Sequence, residues 1–345
     1  MKNTIFKNMP VVLTLIMSAM ALGACSDWTD TEAVDLKEPS IESQNGTLYA
    51  AYLENLRSYK QGTHKLVYTW FDNSVKLAAS RAQHITDVPD SVDVISMMYP
   101  GNLADWELTD IESVRNNKGT KIIYTVDFDA IKAAYNAKLE LATETEPVNK
   151  DFVGFMVDSL ETALSFVDKY NYDGICVAYT GKSRLHMRDD ELKEYTANET
   201  AFINIMQDWH ARHSGKMITF YGKPQNLINP ALIKDAKSVL IPATSATSTE
   251  QFTFIYGMSV ADNVPTDRFG LVVSATDLKD VNKTVGYLGD GSLAIDGLAR
   301  WATSSHSGIA VTVVGIYNVS SDYYNPKQVY SHTRKLISTI NPSVK

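Results

Sequence analysis

The groups from which this chain could build a site are acids, amides, hydroxyls and aromatic rings placed at the ends of apolar runs. Asp72 and Asp127 each close such a run, where a carboxylate can point into a cleft and transfer a proton. Trp70, Tyr99, Tyr179, Tyr221 and Tyr317 end others, and Asn73, Gln225, Asn318, Thr244 and Ser274 lie beside them. Pyranose rings present apolar C–H faces that stack on Trp and Tyr, while their hydroxyls pair with planar amides and carboxylates. The inventory therefore suits a sugar. Hydrolysis of a glycosidic bond needs more, namely a second carboxyl group or a substrate acetamide held by a partner residue.

One run organises the rest. Tyr172 to Thr180 is apolar, β-branched and aromatic, follows an amphipathic helical pattern, and reads as a parallel strand buried on both faces. Alternation puts Cys176, Ala178 and Thr180 on one face. This stretch resembles the signature strand of the family-18 glycoside hydrolases, the chitinases and endo-β-N-acetylglucosaminidases, whose pattern is Asp-Gly-x-Asp-x-Asp-x-Glu on the fourth barrel strand. Asp173 and Gly174 match it, whereas Cys176, Ala178 and Thr180 replace the three later acids. In that family the final Glu is the general acid and the preceding Asp orients the acetamido group that serves as nucleophile. A threonine hydroxyl cannot deliver a proton near neutral pH, and alanine can orient nothing. The resemblance thus implies a family-18 barrel without a catalytic residue. Two further family marks are missing: Ile241-Pro242-Ala243-Thr244 stands where a tyrosine is expected on the sixth strand, and Tyr317 where many relatives have tryptophan. The competing reading is an active endo-glycosidase whose acid has moved to Asp72 or Asp127.

Eight apolar runs should position these residues: 65–71, 92–99, 121–128, 173–180, 217–221, 239–243, 269–275 and 309–317. Helical stretches separate them, so the sheet should be parallel. Eight such units close a single-domain (β/α)8 TIM barrel, with its site at the carboxyl ends of the strands. Val153, Met156, Leu160, Leu164 and Val167 keep a helical period before the signature strand. A second helix, from Asp189 to about His213, should turn Phe202, Ile205, Met206 and Trp209 inward. Leu48, Ala51, Tyr52, Leu53 and Leu56 mark one face of an earlier helix. Asn325 and Pro326 are the expected N-cap and first residue of the last helix, closing the barrel through Val329, Leu336, Ile337 and Ile340.

The N-terminal segment predicts an address. Lys2 and Lys7 precede an apolar stretch ending in Leu22-Gly23-Ala24-Cys25, the pattern of a secretory signal too short to span a bilayer. It resembles a bacterial lipobox, which implies a signal peptide over 1–24, lipidation at Cys25, a polar tether over 25–45 and a barrel over 46–345. Ser26-Asp27-Trp28-Thr29-Asp30 is similar to the acidic tags of surface-exported Bacteroidetes lipoproteins. That likeness implies an outer-membrane, cell-surface location. The expected ligand is an N-glycan or another GlcNAc-containing oligosaccharide, held for an outer-membrane importer and neighbouring surface hydrolases. A formal net charge of -8 without a basic block argues against nucleic acid and leaves the lipid as the only attachment to membrane. No cofactor is implied. His210 and His213 have a possible metal spacing but no accompanying acid or third His, so no metal site is expected. Cys176 has no disulfide partner once Cys25 is lipidated, and as a lone strand cysteine it reads as packing.

Overall fold

In the computed structural model of the protein, residues 41–143, 147–277, 279–306 and 310–342 are described. The expectations for the signal peptide, Cys25 and most of the tether lie outside these residues. The chain divides into two units, Met1–Ala51 and Tyr52–Lys345. In the first, a helical turn at Ile41–Gln44 precedes the start of helix α1, Gly46–Gln61, which runs across the division. Within α1, Leu53 and Leu56 are buried, whereas Leu48 and Tyr52 are exposed, so the apolar face is narrower than its spacing suggests.

The second unit is a closed barrel of eight parallel strands in sequence order. They are β1 Leu66–Phe71, β2 Val94–Met97, β3 Lys121–Asp127, β4 Gly174–Tyr179, β5 Met217–Gly222, β6 Val239–Pro242, β7 Phe269–Ser274 and β8 Val311–Tyr317. All eight expected runs contain a strand. Alternation splits the core into two layers. Inside the barrel Tyr68, Trp70, Val94, Ile123, Cys176, Leu240, Val272 and Val313 pack together. Outside, the intervening residues, among them Ile175, Val177 and Tyr179, meet the helices.

Helix α2 is Asp105–Lys118, α3 Phe128–Leu141, α4 Phe152–Lys169 and α5 Asp189–Arg212. On α4, Met156, Leu160, Leu164 and Val167 are buried as their period requires, with Val153 only partly so. On α5 the buried set is Phe202, Ile203, Met206 and Trp209; Ile205 is only partly covered. The last helix begins later than its sequence signals suggest, at Ser331–Ile340 rather than at Pro326. Asn325 instead caps a loop, its Oδ1 accepting from the Lys327 N–H at 3.1 Å. Val329 stays partly exposed, while Leu336, Ile337 and Ile340 are buried.

Two aspartates brace the amino ends of the strands. Before β2, Asp93 accepts from the Val67 N–H at 2.8 Å and pairs with His64 Nε2 at 2.8 Å. Before β4, Asp173 accepts from the Ile122 N–H at 2.9 Å and from Arg115 Nε at 3.0 Å. Each carboxylate therefore satisfies a backbone donor on the neighbouring strand, at the end of the barrel opposite the expected site. Gly174 also has a steric reason: a Cβ there would lie 1.9 Å from the Met217 carbonyl oxygen. The Asp-Gly pair that carries the family resemblance is a piece of scaffold.

Candidate glycan site

At the carboxyl ends of the strands a cavity of about 480 Å³ is lined by Trp70, Met98, Thr125, Asp127, Ala130, Tyr221, Thr244, Ser274 and Tyr317. Its floor is aromatic. The Trp70 ring centroid lies 5.2 Å from that of Tyr221 and 6.1 Å from that of Tyr317. Trp70 Nε1 donates to Thr125 Oγ1 at 2.9 Å, which ties the indole of β1 to β3. Because Trp70 is only 3 % exposed, the rings with surface to offer a ligand are the half-buried Tyr221 and Tyr317.

Asp127 is the single carboxylate among the described lining residues. It caps α3, its Oδ1 accepting from the N–H groups of Asp129 at 2.8 Å and Ala130 at 3.2 Å. Burial raises its pKa, and those two N–H bonds oppose the shift. Burial also raises the pKa of both tyrosines, so at neutral pH they are neutral phenols, able to donate and accept hydrogen bonds.

The register explains what the degenerate signature does. Ala178 pairs with Asp127 on one side and Tyr221 on the other. A methyl group thus occupies the level at which the family pattern carries an acid. Cys176, one step deeper, is fully buried, and burial pushes its thiol up to about 12, which leaves it inert. Thr180 turns away. Its N–H donates to Asp129 Oδ2 at 3.2 Å, its carbonyl accepts from Asn226 Nδ2 at 2.9 Å, and it borders a different cavity.

Of the residues expected to bind ligand, the fold gathers Trp70, Asp127, Tyr221 and Tyr317 into one cavity. Asp72 and Asn318 line a separate one of about 420 Å³ beside β1 and β8, so Asp72 and Asp127 do not form a catalytic pair there. Tyr99 is exposed at the rim, and Gln225 borders a further cavity beyond β5. Two expectations fail. Asn73 is buried and spent on structure: Nδ2 donates to the Tyr99 carbonyl and Glu107 Oε1, and Oδ1 accepts from the Tyr99 N–H. Tyr179 points outward into the helix layer, where its hydroxyl meets Glu199 Oε2 at 2.7 Å and Tyr195 at 2.8 Å. Alternation already places Tyr179 on the face opposite Ala178. Thr125 is the lining residue that the same rule could have supplied, two positions before Asp127. Met98 and Ala130 enter through loop and helix geometry that no periodicity announces. Among the described residues no cluster of three His, Cys, Asp or Glu could hold a metal ion.

The family model for glycoside hydrolase family 18, BT1044-like, matches residues 29–339. No curated protein matches the chain. Among solved structures, a selenomethionine form of a BT1044 variant superposes with a TM-score of 0.57 at 17 % identity, covering 87 % of this chain and 95 % of its own. The endo-β-N-acetylglucosaminidase from Cordyceps militaris, in its apo form, gives 0.57 at 18 % identity over 85 % of this chain and 96 % of its own. A mutant of that enzyme in complex with fucosyl-N-acetylglucosamine-Asn gives 0.55 at 17 % identity, with coverage of 85 % and 96 %. At these identities the likeness shows a shared fold.

Proposed function

From the premise that the chain belongs to glycoside hydrolase family 18, in its BT1044-like group, we propose that it is a non-catalytic glycan-binding protein. The observation that carries the reading is Ala178, a methyl group between Asp127 and Tyr221 at the level where the signature strand should present an acid. With Asp127 as the only carboxylate lining the described cavity, neither an acid-nucleophile pair nor an acid-orienter pair can be assembled. What remains suits retention of a sugar. Two phenols and three aliphatic hydroxyls supply hydrogen bonds, and aromatic faces supply stacking area.

The fucosyl-N-acetylglucosamine-Asn bound in the Cordyceps militaris complex supports a GlcNAc-containing oligosaccharide, such as an N-glycan, as the ligand. The lipobox-like Leu22-Gly23-Ala24-Cys25 supports an outer-membrane lipoprotein facing the cell exterior. There it would hold oligosaccharides for surface hydrolases and an importer. Incubation with an N-glycan followed by mass spectrometry tests the proposal: the glycan should be recovered intact, and cleavage would refute it.

A second reading rests on Asp127 itself, half-buried, with a raised pKa, and adjacent to the vacated acid position. If it had taken over as general acid, Asp127→Asn would abolish a turnover that the wild type shows. On the binding reading both proteins leave the glycan whole.

A further inference from the structure

The loop that leaves β4 carries Lys182, Arg184 and Arg188 in an otherwise acidic chain. Arg188 lies 3.6 Å from Asp190. The side chains of Lys182 and Arg184 are exposed and have no hydrogen-bond or ion-pair partner among the described residues. Both line a cavity of about 480 Å³ whose other walls are Ser183, Leu185, Leu192, Gln225 and Asn226. No carboxylate lines it. Gln225, one of the lining residues, has its Oε1 buried without a hydrogen-bond partner. Lys182 also borders a neighbouring cavity containing Asp129, Glu191 and Glu194, but none of these lies within ion-pairing distance of its ammonium. Arg184 does not border that cavity.

The elements that build this cavity also build the sugar site. β5 delivers Tyr221 to the central cavity and, four residues later, Gln225 to this one. Asn226 is tied to the Thr180 carbonyl at the end of the signature strand. Resting on the glycan-binding reading, we infer that the cationic cavity receives an anionic group on the oligosaccharide, a carboxylate of an acidic sugar or a sulfate ester. A guanidinium fork and an ammonium match either oxyanion. The sugar carrying it would find the Leu185 and Leu192 side chains for its apolar face and the Gln225 and Asn226 amides for its hydroxyls. The central cavity, with one carboxylate and no base, would take a neutral residue of the same chain.

Calorimetric titration with three N-glycans tests this: one sialylated, the same glycan desialylated, and one sulfated on GlcNAc. Wild type should bind a charged glycan roughly tenfold more tightly than the neutral one at low salt, with the preference shrinking as ionic strength rises. Whichever charged glycan shows the preference identifies the oxyanion. In the double variant Lys182→Ala, Arg184→Ala the preference should vanish while neutral-glycan affinity is kept. Both residues are exposed loop residues, so the fold should tolerate the change. Equal wild-type affinities, or a preference that survives in the variant, would overturn the inference and leave the glycan-binding reading in place. Binding of none of the three would overturn both.

Discussion

Replacing Asp173 should weaken the fold and leave the ligand site intact, because the carboxylate works at the end of the barrel away from that site. Its Oδ2 accepts from the buried strand at the Ile122 N–H and from Arg115 Nε, with Lys121 Nζ 3.6 Å from Oδ1. Asp173→Ala removes two charge-assisted hydrogen bonds and strands a backbone donor. Each such bond contributes roughly 1.5–3 kcal/mol. The side chain retains some exposure, 14 %, so the lower end applies, and the total loss is about 3 kcal/mol. Asp173→Asn keeps the volume and an acceptor for the Ile122 N–H, so it should cost about 1–2 kcal/mol. At roughly 2 °C per kcal/mol in a domain of this size, the Ala variant should melt about 6 °C lower. Differential scanning calorimetry gives the shift, and glycan titration at 25 °C gives the affinity. An unchanged melting temperature in the Ala variant would refute the reasoning. So would loss of glycan binding in a variant that is still folded at 25 °C, which would mean that the aspartate acts at the site.

Other consequences are smaller in scope. Tyr317→Ala should weaken glycan binding by about tenfold through loss of its ring, with the melting temperature nearly unchanged; undiminished affinity would remove it from the site. Trp70→Phe deletes the bond to Thr125 and should cost about 1 kcal/mol of stability, read by urea denaturation. The Asp93 hydrogen bond is the first cause that raises the His64 pKa, so the folded state holds the proton more tightly. That contribution is complete below the unfolded value near 6.5 and is lost as pH rises through the folded value; His64→Gln should flatten this fall in a pH series of melting temperatures. Lys60 acts in the opposite sense. Burial lowers its pKa to about 8, so stability should rise between about pH 8 and 10.5, and Lys60→Met should remove that rise.

The barrel was legible because its signal is local and repeated. Each strand is a short β-branched run, and the period-2 alternation of β4 put Cys176, Ala178 and Thr180 on one face; it holds for Cys176 and Ala178, places Tyr179 opposite them, and ends before Thr180, which lies past the strand and turns away. Asn73 shows where such reading stops. Its position after β1 suits a ligand, but Glu107 and the Tyr99 backbone, both distant in sequence, consume its amide. The late start of the last helix has a similar cause. Asn325 and Pro326 form a valid start signal, yet the buried Asp322 carboxylate accepts from the Thr333 N–H and hydroxyl, and this tertiary contact anchors the first turn several residues downstream. The Asp-Gly pair identified the family for reasons of packing rather than chemistry. The Asp173 carboxylate satisfies the Ile122 N–H, and only glycine fits against Met217.

The central claim is that this barrel holds a sugar without cutting it. Isothermal titration of the purified protein with an N-glycan, followed by mass spectrometry of the cell contents, measures both halves in one sample. A saturable heat and a glycan recovered at its starting mass are expected. A sustained heat with two shorter products would contradict it and return attention to Asp127.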